Sequence, residues 1–131
     1  MNGKDSLLDT NIVIALFANE QPVIEKIASY IGRIAIPGIV LGELFYGAEL
    51  SSKREFNKKR IEEFAKVSSI LNCDLDTSRT YALLKSELKS KGTPIPENDI
   101  WIAALARQHN LMLVTRDKHF NNIQKLLIES W

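Results

Sequence analysis

Four acidic residues stand at positions where the sequence could support chemistry. Asp9 and Asp117 each follow a short apolar stretch, Asp99 lies in the first turn of a predicted helix, and Glu43 lies inside an apolar segment. Asp9 and Asp99 also suit the start of a helix, and Asp117 suits a turn. A solvated helix face would equally explain Glu43, because an unpaired carboxylate is costly to bury. Convergence of these acids on one cleft would favour a functional site.

The predicted topology allows this convergence. In open α/β sheets, ligands bind at the carboxyl ends of the strands, where the strand order reverses. Asp9 and Asp117 follow the predicted first and fourth strands, so they would be neighbours, and Glu43 and Asp99 can face the same end. Carboxylates about 5 Å apart repel by roughly 3 kcal/mol per pair at an effective dielectric of about 20. A cation must offset this repulsion.

The expected donor set favours a hard divalent cation. Oxygen ligands without histidine or cysteine suit Mg²⁺ or Mn²⁺ and make zinc the wrong metal. A magnesium ion held by few carboxylates keeps positions for water and phosphate oxygens, so phosphodiester hydrolysis is the expected reaction. Thr115 and Asn11 could fix the attacking water, and turn capping would explain them as well.

Several other kinds of site are excluded. The single cysteine, Cys73, cannot form an internal disulfide, and no cysteine and histidine set has the spacing of a structural zinc site. Gly42 and Gly47 have P-loop spacing, but the lysine and hydroxyl that hold phosphate and magnesium do not follow. His109 and His119 have no identifiable partners for a nucleophile triad.

Composition predicts one compact domain over residues 1–131, since 45% of the residues are hydrophobic and 25% are charged. No apolar run approaches the roughly 20 residues of a membrane-spanning helix, and the start of the chain lacks a signal-peptide pattern, so we expect a cytoplasmic protein. The net charge of +1 predicts no global nucleic-acid surface. The basic stretch 53–60 suits phosphate contacts or plain solubility.

Apolar periodicity predicts the elements that must position the acids. Strands are expected at residues 7–8, 33–36, 71–75, 111–114 and 125–131. Helical spacing at 39–50 and 55–70 predicts a helical hairpin after strand two, and Asp76 or Thr77 would cap the next helix. Apolar strands separated by helices predict a three-layer α/β/α fold with a five-stranded, mostly parallel sheet.

Four segments share a known order and spacing: LLDTN (7–11), IVLGELFYG (39–47), PENDIWIAA (96–104) and LVTRDKHF (113–120). Together they resemble the PIN domain. Their order, the chain length and the closing LIESW (127–131) look like the VapC-type toxins of prokaryotic toxin–antitoxin pairs. The resemblance covers nearly the whole chain and implies that the metal-binding acids are Asp9, Glu43, Asp99 and Asp117, with Asp9 and Asp99 as the most direct ligands.

The resemblance also implies an activity and partners. It implies a Mg²⁺-dependent endoribonuclease, with Mn²⁺ able to substitute, whose RNA product carries a 5′-phosphate. It further implies a homodimer and a VapB-like antitoxin, with residues about 39–69 forming the dimer and the antitoxin groove. One departure is that His119 occupies the place of an additional acid before Phe120, and Glu97 is a candidate auxiliary acid beside Asp99.

Two alternatives remain at this point. A phospho-accepting receiver-like signalling domain also combines five parallel strands with an acidic magnesium pocket. Against it, Leu8 precedes Asp9 where an acid is expected, and no lysine follows the last predicted strand. The second alternative is a PIN nuclease of RNA processing or a catalytically silent PIN-like binding module, and the four intact acids disfavour a silent domain.

Overall fold

A five-stranded sheet forms the centre of the structure, a computed structural model that describes residues 5–131. Residues 1–4 lie outside the described residues. They are part of the start of the chain, where no signal-peptide pattern is expected. The strands are β1 (Ser6–Leu8), β2 (Ile34–Pro37), β3 (Ser69–Leu71), β4 (Met112–Val114) and β5 (Ile128–Glu129). They are all parallel and lie in the order β3-β2-β1-β4-β5.

The helices connect these parallel strands. They are α1 (Thr10–Phe17), α2 (Gln21–Ser29), α3 (Gly38–Leu50), α4 (Arg54–Lys66), α5 (Leu75–Lys91) and α6 (Glu97–Gln108), and a 3-10 helix spans Lys118–Asn122. Helices α3 and α4 pack against each other, which confirms the helical hairpin after the second strand. Within residues 5–131, no helix has the length and apolarity that crossing a membrane requires.

Helices cover both faces of the sheet. Adjacent strand residues point to opposite faces, and Leu7 and Leu8 of β1 are both 0% exposed. Crossovers between parallel strands are right-handed as a rule. With the observed strand order, this rule puts α1 to α4 on one face as the chain moves from β1 to β3, and α5 and α6 on the other as it returns to β4. The predicted α/β fold with a five-stranded sheet is therefore confirmed, and every described strand pair is parallel.

The region between α4 and α5 differs from the sequence-based expectation. Helix α4 ends at Lys66, and Ile70 lies in strand β3 instead of the helix. Ile70 pairs with Ile36 of β2, so strand pairing overrides the helical spacing of the apolar residues. The predicted strand at 71–75 was placed too late along the chain, because β3 ends at Leu71.

The start of α5 was also predicted too late. Asp74 is the residue that caps this helix, and neither Asp76 nor Thr77 does so. The Asp74 carboxylate accepts a hydrogen bond from the backbone N–H of Thr77, and the Thr77 hydroxyl accepts one from the backbone N–H of Asp74. This reciprocal capping box satisfies backbone groups at the helix start and fixes where the helix begins.

The strand order creates a crevice beside β1. The chain runs from β1 to β2 and β3 on one side and then places β4 on the other side of β1. Leu8 is in register with Val114, so β1 and β4 end side by side. Ligands of open α/β sheets bind at such a reversal of strand order.

Candidate metal centre

Asp9 lies at the carboxyl end of β1, directly beside the end of β4. Its backbone N–H donates to the carbonyl of Val114 at 3.0 Å, which continues the strand pairing by one residue. The residue is only 3% exposed. One carboxylate oxygen accepts from the backbone N–H of Thr10 at 2.8 Å and caps α1, while the other accepts from the Thr115 hydroxyl at 2.7 Å. Asp9 therefore begins a helix and faces the crevice at once.

Thr115 and Asn11 join the loops that follow β1 and β4. The Thr115 hydroxyl donates to Asp9 and accepts from the backbone N–H of Asp117 at 3.0 Å. The Asn11 amide donates to the Asp9 carboxylate at 3.3 Å, and its oxygen accepts from the backbone N–H of Arg116 at 3.1 Å. These bonds hold the Asp9 carboxylate in place; the expected role of Thr115 and Asn11 in fixing water stays a prediction.

Asp99 and Asp117 approach each other through His119. Asp99 is 9% exposed in the first turn of α6, and its Oδ2 lies 2.5 Å from Nε2 of His119. The other ring nitrogen of His119, Nδ1, lies 3.7 Å from Oδ1 of the exposed Asp117. One candidate ligand atom from each of these three residues lies within 4.8 Å of the other two. Within residues 5–131, this trio is the one group of at least three candidate metal ligands found this close together.

Glu43 reaches the same region from α3. The residue is half-buried, and its Oε1 is buried without a hydrogen-bond partner among residues 5–131. Burial raises the pKa of the Glu43 carboxyl and the charges of Asp9 and Asp99 raise it further, while an interaction with the Thr10 side chain opposes them. A buried acceptor without a partner is costly, and a cation would satisfy it.

The charges of these acids disfavour one another. Burial is the largest cause that raises the pKa of Asp9, the charge of Asp117 adds to it, and the hydrogen bonds from Thr115 and Thr10 oppose it. Burial also raises the pKa of Asp99; the contact with His119 opposes this, and the charges of Asp9 and Asp117 add to it. The fold therefore brings each of the four predicted acids close enough to at least two of the others for their charges to interact.

The residues of this cleft fit a divalent cation. Several carboxylates with raised pKa values and one buried oxygen without a partner are groups that a bound cation would stabilise. The donor set differs from the sequence-based expectation, however, because a histidine nitrogen lies among the oxygens. The sequence offered no nucleophile-triad partners for His119, and its contacts with Asp99 and Asp117 are a separate finding. Nitrogen-preferring metals are therefore no longer excluded on the ground that every donor is an oxygen. One signal in the sequence pointed to these contacts: His119 occupies the place where the family pattern can have an additional acid before Phe120.

Glu97 is engaged outside this cluster. Its carboxylate accepts hydrogen bonds from the Tyr81 hydroxyl and forms an ion pair with Lys85, both on α5. The hydrogen bond from Lys85 is the largest cause that lowers the pKa of Glu97. The Tyr81 ring stacks on Trp101 with ring centroids 3.9 Å apart, so this part of α6 packs against α5. Glu97 has a structural role here, which the sequence did not reveal.

An apolar groove opens between α1, α3 and α4, with Glu43 among its lining residues. Its volume is about 230 Å³, and Ile14, Phe17, Leu44 and Ile61 supply apolar lining. Arg60 also lines the groove and donates to the carbonyl of Phe17 at 2.6 Å. At least part of the basic stretch therefore has contacts within the fold.

A comparison with known protein families decides the classification, since the model of the PIN domain matches residues 6–126. The chain belongs to the PIN domain family. "Ribonuclease VapC2" of Haemophilus influenzae is 35% identical over 127 residues, which cover 95% of this chain and 96% of the relative. "tRNA(fMet)-specific endonuclease VapC" of Shigella flexneri is 32% identical, with the same coverage. The resemblance to VapC-type PIN domains is thus confirmed.

The solved structures show the same PIN fold. The crystal structure of VapBC2 from Rickettsia felis, bound to a DNA fragment from its promoter, matches with a TM-score of 0.90 and 33% identity and covers 96% of this chain and 98% of that chain. The strand order of this PIN domain also differs from the order 2-1-3-4-5 of receiver-type folds. The receiver-like alternative was therefore wrong.

Proposed function

We propose that this PIN domain is an endoribonuclease that depends on Mg²⁺ or Mn²⁺ and acts as the toxin of a toxin–antitoxin pair. The observation that carries the proposal is the convergence of Asp9, Glu43, Asp99 and Asp117 where the strand order reverses. Relatives named as VapC ribonucleases, aligned over 95% of the chain, support RNA as the substrate. We expect the protein in the cytoplasm, where RNA is available to it.

In this proposal the four acids have different chemical roles. Asp9, Asp99 and Asp117 hold the divalent ion, and Thr115 and Asn11 keep the Asp9 carboxylate oriented. When bound, the ion would neutralise charge on the phosphodiester and lower the pKa of a water molecule. Glu43 is suited to accept a proton from the attacking water, because its pKa is raised and its Oε1 has no hydrogen-bond partner in the described part of the chain. Attack at phosphorus with departure of the 3′-oxygen leaves the phosphate on the 5′ end of the product.

The hairpin of α3 and α4 supports the proposed protein partners. Three large apolar side chains of this hairpin, Tyr46, Leu50 and Phe56, are mostly exposed. Apolar surface of this kind is typical of protein interfaces, so we propose that it contributes to a homodimer. We propose that the groove beside Glu43 receives a segment of a VapB-like antitoxin. A basic antitoxin side chain at that end of the groove would pair with the acids and block them.

The test of this function compares the wild type with Asp9→Asn and Asp99→Asn. We expect Mg²⁺-dependent RNA cleavage by the wild type, inhibition by a chelator, and loss of cleavage in both variants. Initiator tRNA is the first substrate to assay, because the Shigella relative is named for that specificity. Both variants should still unfold cooperatively, which separates loss of the site from loss of the fold.

Induction in cells then distinguishes a toxin from an RNA-processing enzyme. A toxin should arrest growth in its wild-type form and not as Asp99→Asn, and mapping of RNA ends after brief induction should show new 5′-phosphate ends. Unchanged cleavage by both Asn variants would refute the proposed site. Cleavage without growth arrest would favour RNA processing over toxicity.

A further inference from the structure

The ring of His119 lies between two of the proposed metal ligands. Its Nε2 is in contact with Asp99, and its Nδ1 faces Asp117. We propose that His119 is itself a ligand of the divalent ion and that it makes this site select Mn²⁺ over Mg²⁺. The inference rests on the proposed function only in assuming that a divalent ion binds among these acids.

The spacing of the trio is compatible with a shared ion. The ligands of a six-coordinate ion lie about 2.1 Å from the metal, which separates neighbouring ligand atoms by about 3 Å and opposite ones by about 4 Å. The ligand atoms of Asp99, Asp117 and His119 lie within 4.8 Å of one another. The spacing of the three ligand atoms is therefore close to the spacing that one shared ion requires.

The His119 ring is held in position by the fold. His119 belongs to the 3-10 helix Lys118–Asn122, directly after the loop that carries Asp117. The next residue, Phe120, is completely buried, and its ring centroid lies 5.0 Å from that of His119. The imidazole therefore has a defined place at the edge of the core, as a ligand or a positioning residue requires.

A nitrogen ligand changes which ion the site prefers. Carboxylates suit both Mg²⁺ and Mn²⁺, whereas imidazole nitrogen is a poor ligand for Mg²⁺ and a good one for transition metals. A neutral ring where an acid could stand also removes one negative charge, which weakens binding of the harder ion most. His119 should therefore shift the balance towards Mn²⁺, and His119→Asp should shift it back towards Mg²⁺.

A purely positioning role for His119 gives a different result. If the ring only holds the Asp99 carboxylate by a hydrogen bond, its loss should weaken Mg²⁺ and Mn²⁺ binding by the same factor. The ratio of the two dissociation constants therefore decides between a ligand and a positioning residue.

The experiment uses the metal-stripped full chain. Titration calorimetry gives the dissociation constants for Mn²⁺ and Mg²⁺ in the wild type, His119→Asp and His119→Gln. Mutation of residues that support a metal site typically lowers metal affinity about 10–100-fold. We expect a loss of that size for Mn²⁺ and a much smaller one for Mg²⁺, so the preference for Mn²⁺ should fall about tenfold or more in both variants. The matched control is His109→Gln at the exposed C-terminal end of α6, which should leave the preference unchanged.

A spectroscopic readout on the wild type does not depend on any variant folding. Pulsed electron paramagnetic resonance of bound Mn²⁺ should show coupling to a histidine nitrogen, and His109→Gln should retain it. An unchanged Mn²⁺ to Mg²⁺ ratio together with no nitrogen coupling overturns the inference and leaves the proposed nuclease intact. Nitrogen-coupled Mn²⁺ without RNA cleavage would support the inference and contradict the nuclease instead. Absence of any ion binding overturns both.

Discussion

At the scale of single residues, Asp9 combines two roles that the sequence presents as alternatives. One carboxylate oxygen caps α1, and the other accepts the Thr115 hydroxyl across the crevice. The residue is buried because it continues the pairing of β1 with β4 by one backbone bond. A helix cap at a strand end can thus also face the proposed site, so an ordinary explanation of an acid does not exclude a functional one.

Thr115 should matter through the carboxylate that it holds. We expect Thr115→Val to lower the free energy of unfolding by about 1–3 kcal/mol, because the buried Asp9 and the backbone N–H of Asp117 both lose a hydrogen bond. RNA cleavage should fall about 10–100-fold, as for other residues that orient metal ligands. The matched control is Thr80→Val in α5, where the hydroxyl donates to the backbone carbonyl of Asp76. Urea unfolding and cleavage rates that both equal those of the wild type would contradict the role.

Glu43 should reduce stability at neutral pH when no metal is bound. Its pKa is raised in the folded state, so the folded protein keeps this proton to a higher pH than the unfolded chain does. Ionisation of Glu43 therefore costs stability as the pH rises above the ordinary value of about 4.3. We expect Glu43→Gln to gain stability relative to the wild type as the pH rises from about 4 to 7.

The measurement for Glu43→Gln is urea unfolding in a chelator across that pH range. Glu97→Gln is the control with the opposite sign, because the hydrogen bond from Lys85 lowers the pKa of Glu97 in the folded state. Its stability relative to the wild type should decrease as the pH rises towards the ordinary value of about 4.3, so this control is also measured below about pH 4. A stability difference between Glu43→Gln and the wild type that is independent of pH would show that neither burial nor the charges of Asp9 and Asp99 raise the pKa of Glu43 in the folded state.

At the scale of elements, local patterns predicted the helices and strands better than their ends. The apolar spacing of residues 55–70 is helical throughout, yet Ile70 joins β3 because β2 offers it a parallel partner. Such pairing depends on a strand more than 30 residues away in the chain. Helix α5 begins at a capping box instead, a local signal in Asp74 and Thr77 that was present in the sequence and was overlooked.

Asp74 and Asp76 provide a direct test of where α5 begins. We expect Asp74→Ala to cost about 1–2 kcal/mol of stability, because it removes the cap and a bond of 2.9 Å from Gln108 of α6. Asp76→Ala removes only an exposed pair with Arg79 and should cost well under about 1 kcal/mol. Chemical denaturation measures both, and RNA cleavage should be unchanged in each. If both variants lost the same free energy of unfolding, Asp74 would not be the residue that caps α5.

At the scale of the whole molecule, the strand order explains why distant acids meet. Placing β4 beside β1 brings Asp117 to Asp9, and the connections on the two faces deliver Glu43 from α3 and Asp99 from α6. The resulting repulsion is distributed over four elements. A cation that relieves it should therefore stabilise the fold as a unit.

Divalent ions should raise the thermal stability of the protein. At about 100 times its dissociation constant, an ion that binds only the folded state adds about 2.7 kcal/mol to the free energy of unfolding. We expect Mn²⁺ or Mg²⁺ to raise the melting temperature, a chelator to reverse the shift, and Asp99→Asn to abolish it. A melting temperature that does not respond to either ion would show that the acids are tolerated without a metal.

The sequence by itself determined the α/β architecture and identified the acids that the proposed site uses. Continuous apolar runs predict strands buried on both faces, and Asp9 and Asp117 stand where such strands end. These signals are local in the sequence, so they can be recognised without knowing how the helices and strands pack.

Only the tertiary structure decided which neighbours each acid has. Asp99 contacts His119, which lies 20 residues later in the chain. Glu97 instead contacts Lys85 and Tyr81 on α5. The two acids are separated by a single residue in α6, yet the helix directs one to the crevice and the other to a neighbouring helix. The reason is that the contacts of a side chain depend on which element packs against its face of the helix, and that arrangement exists only once the chain has folded.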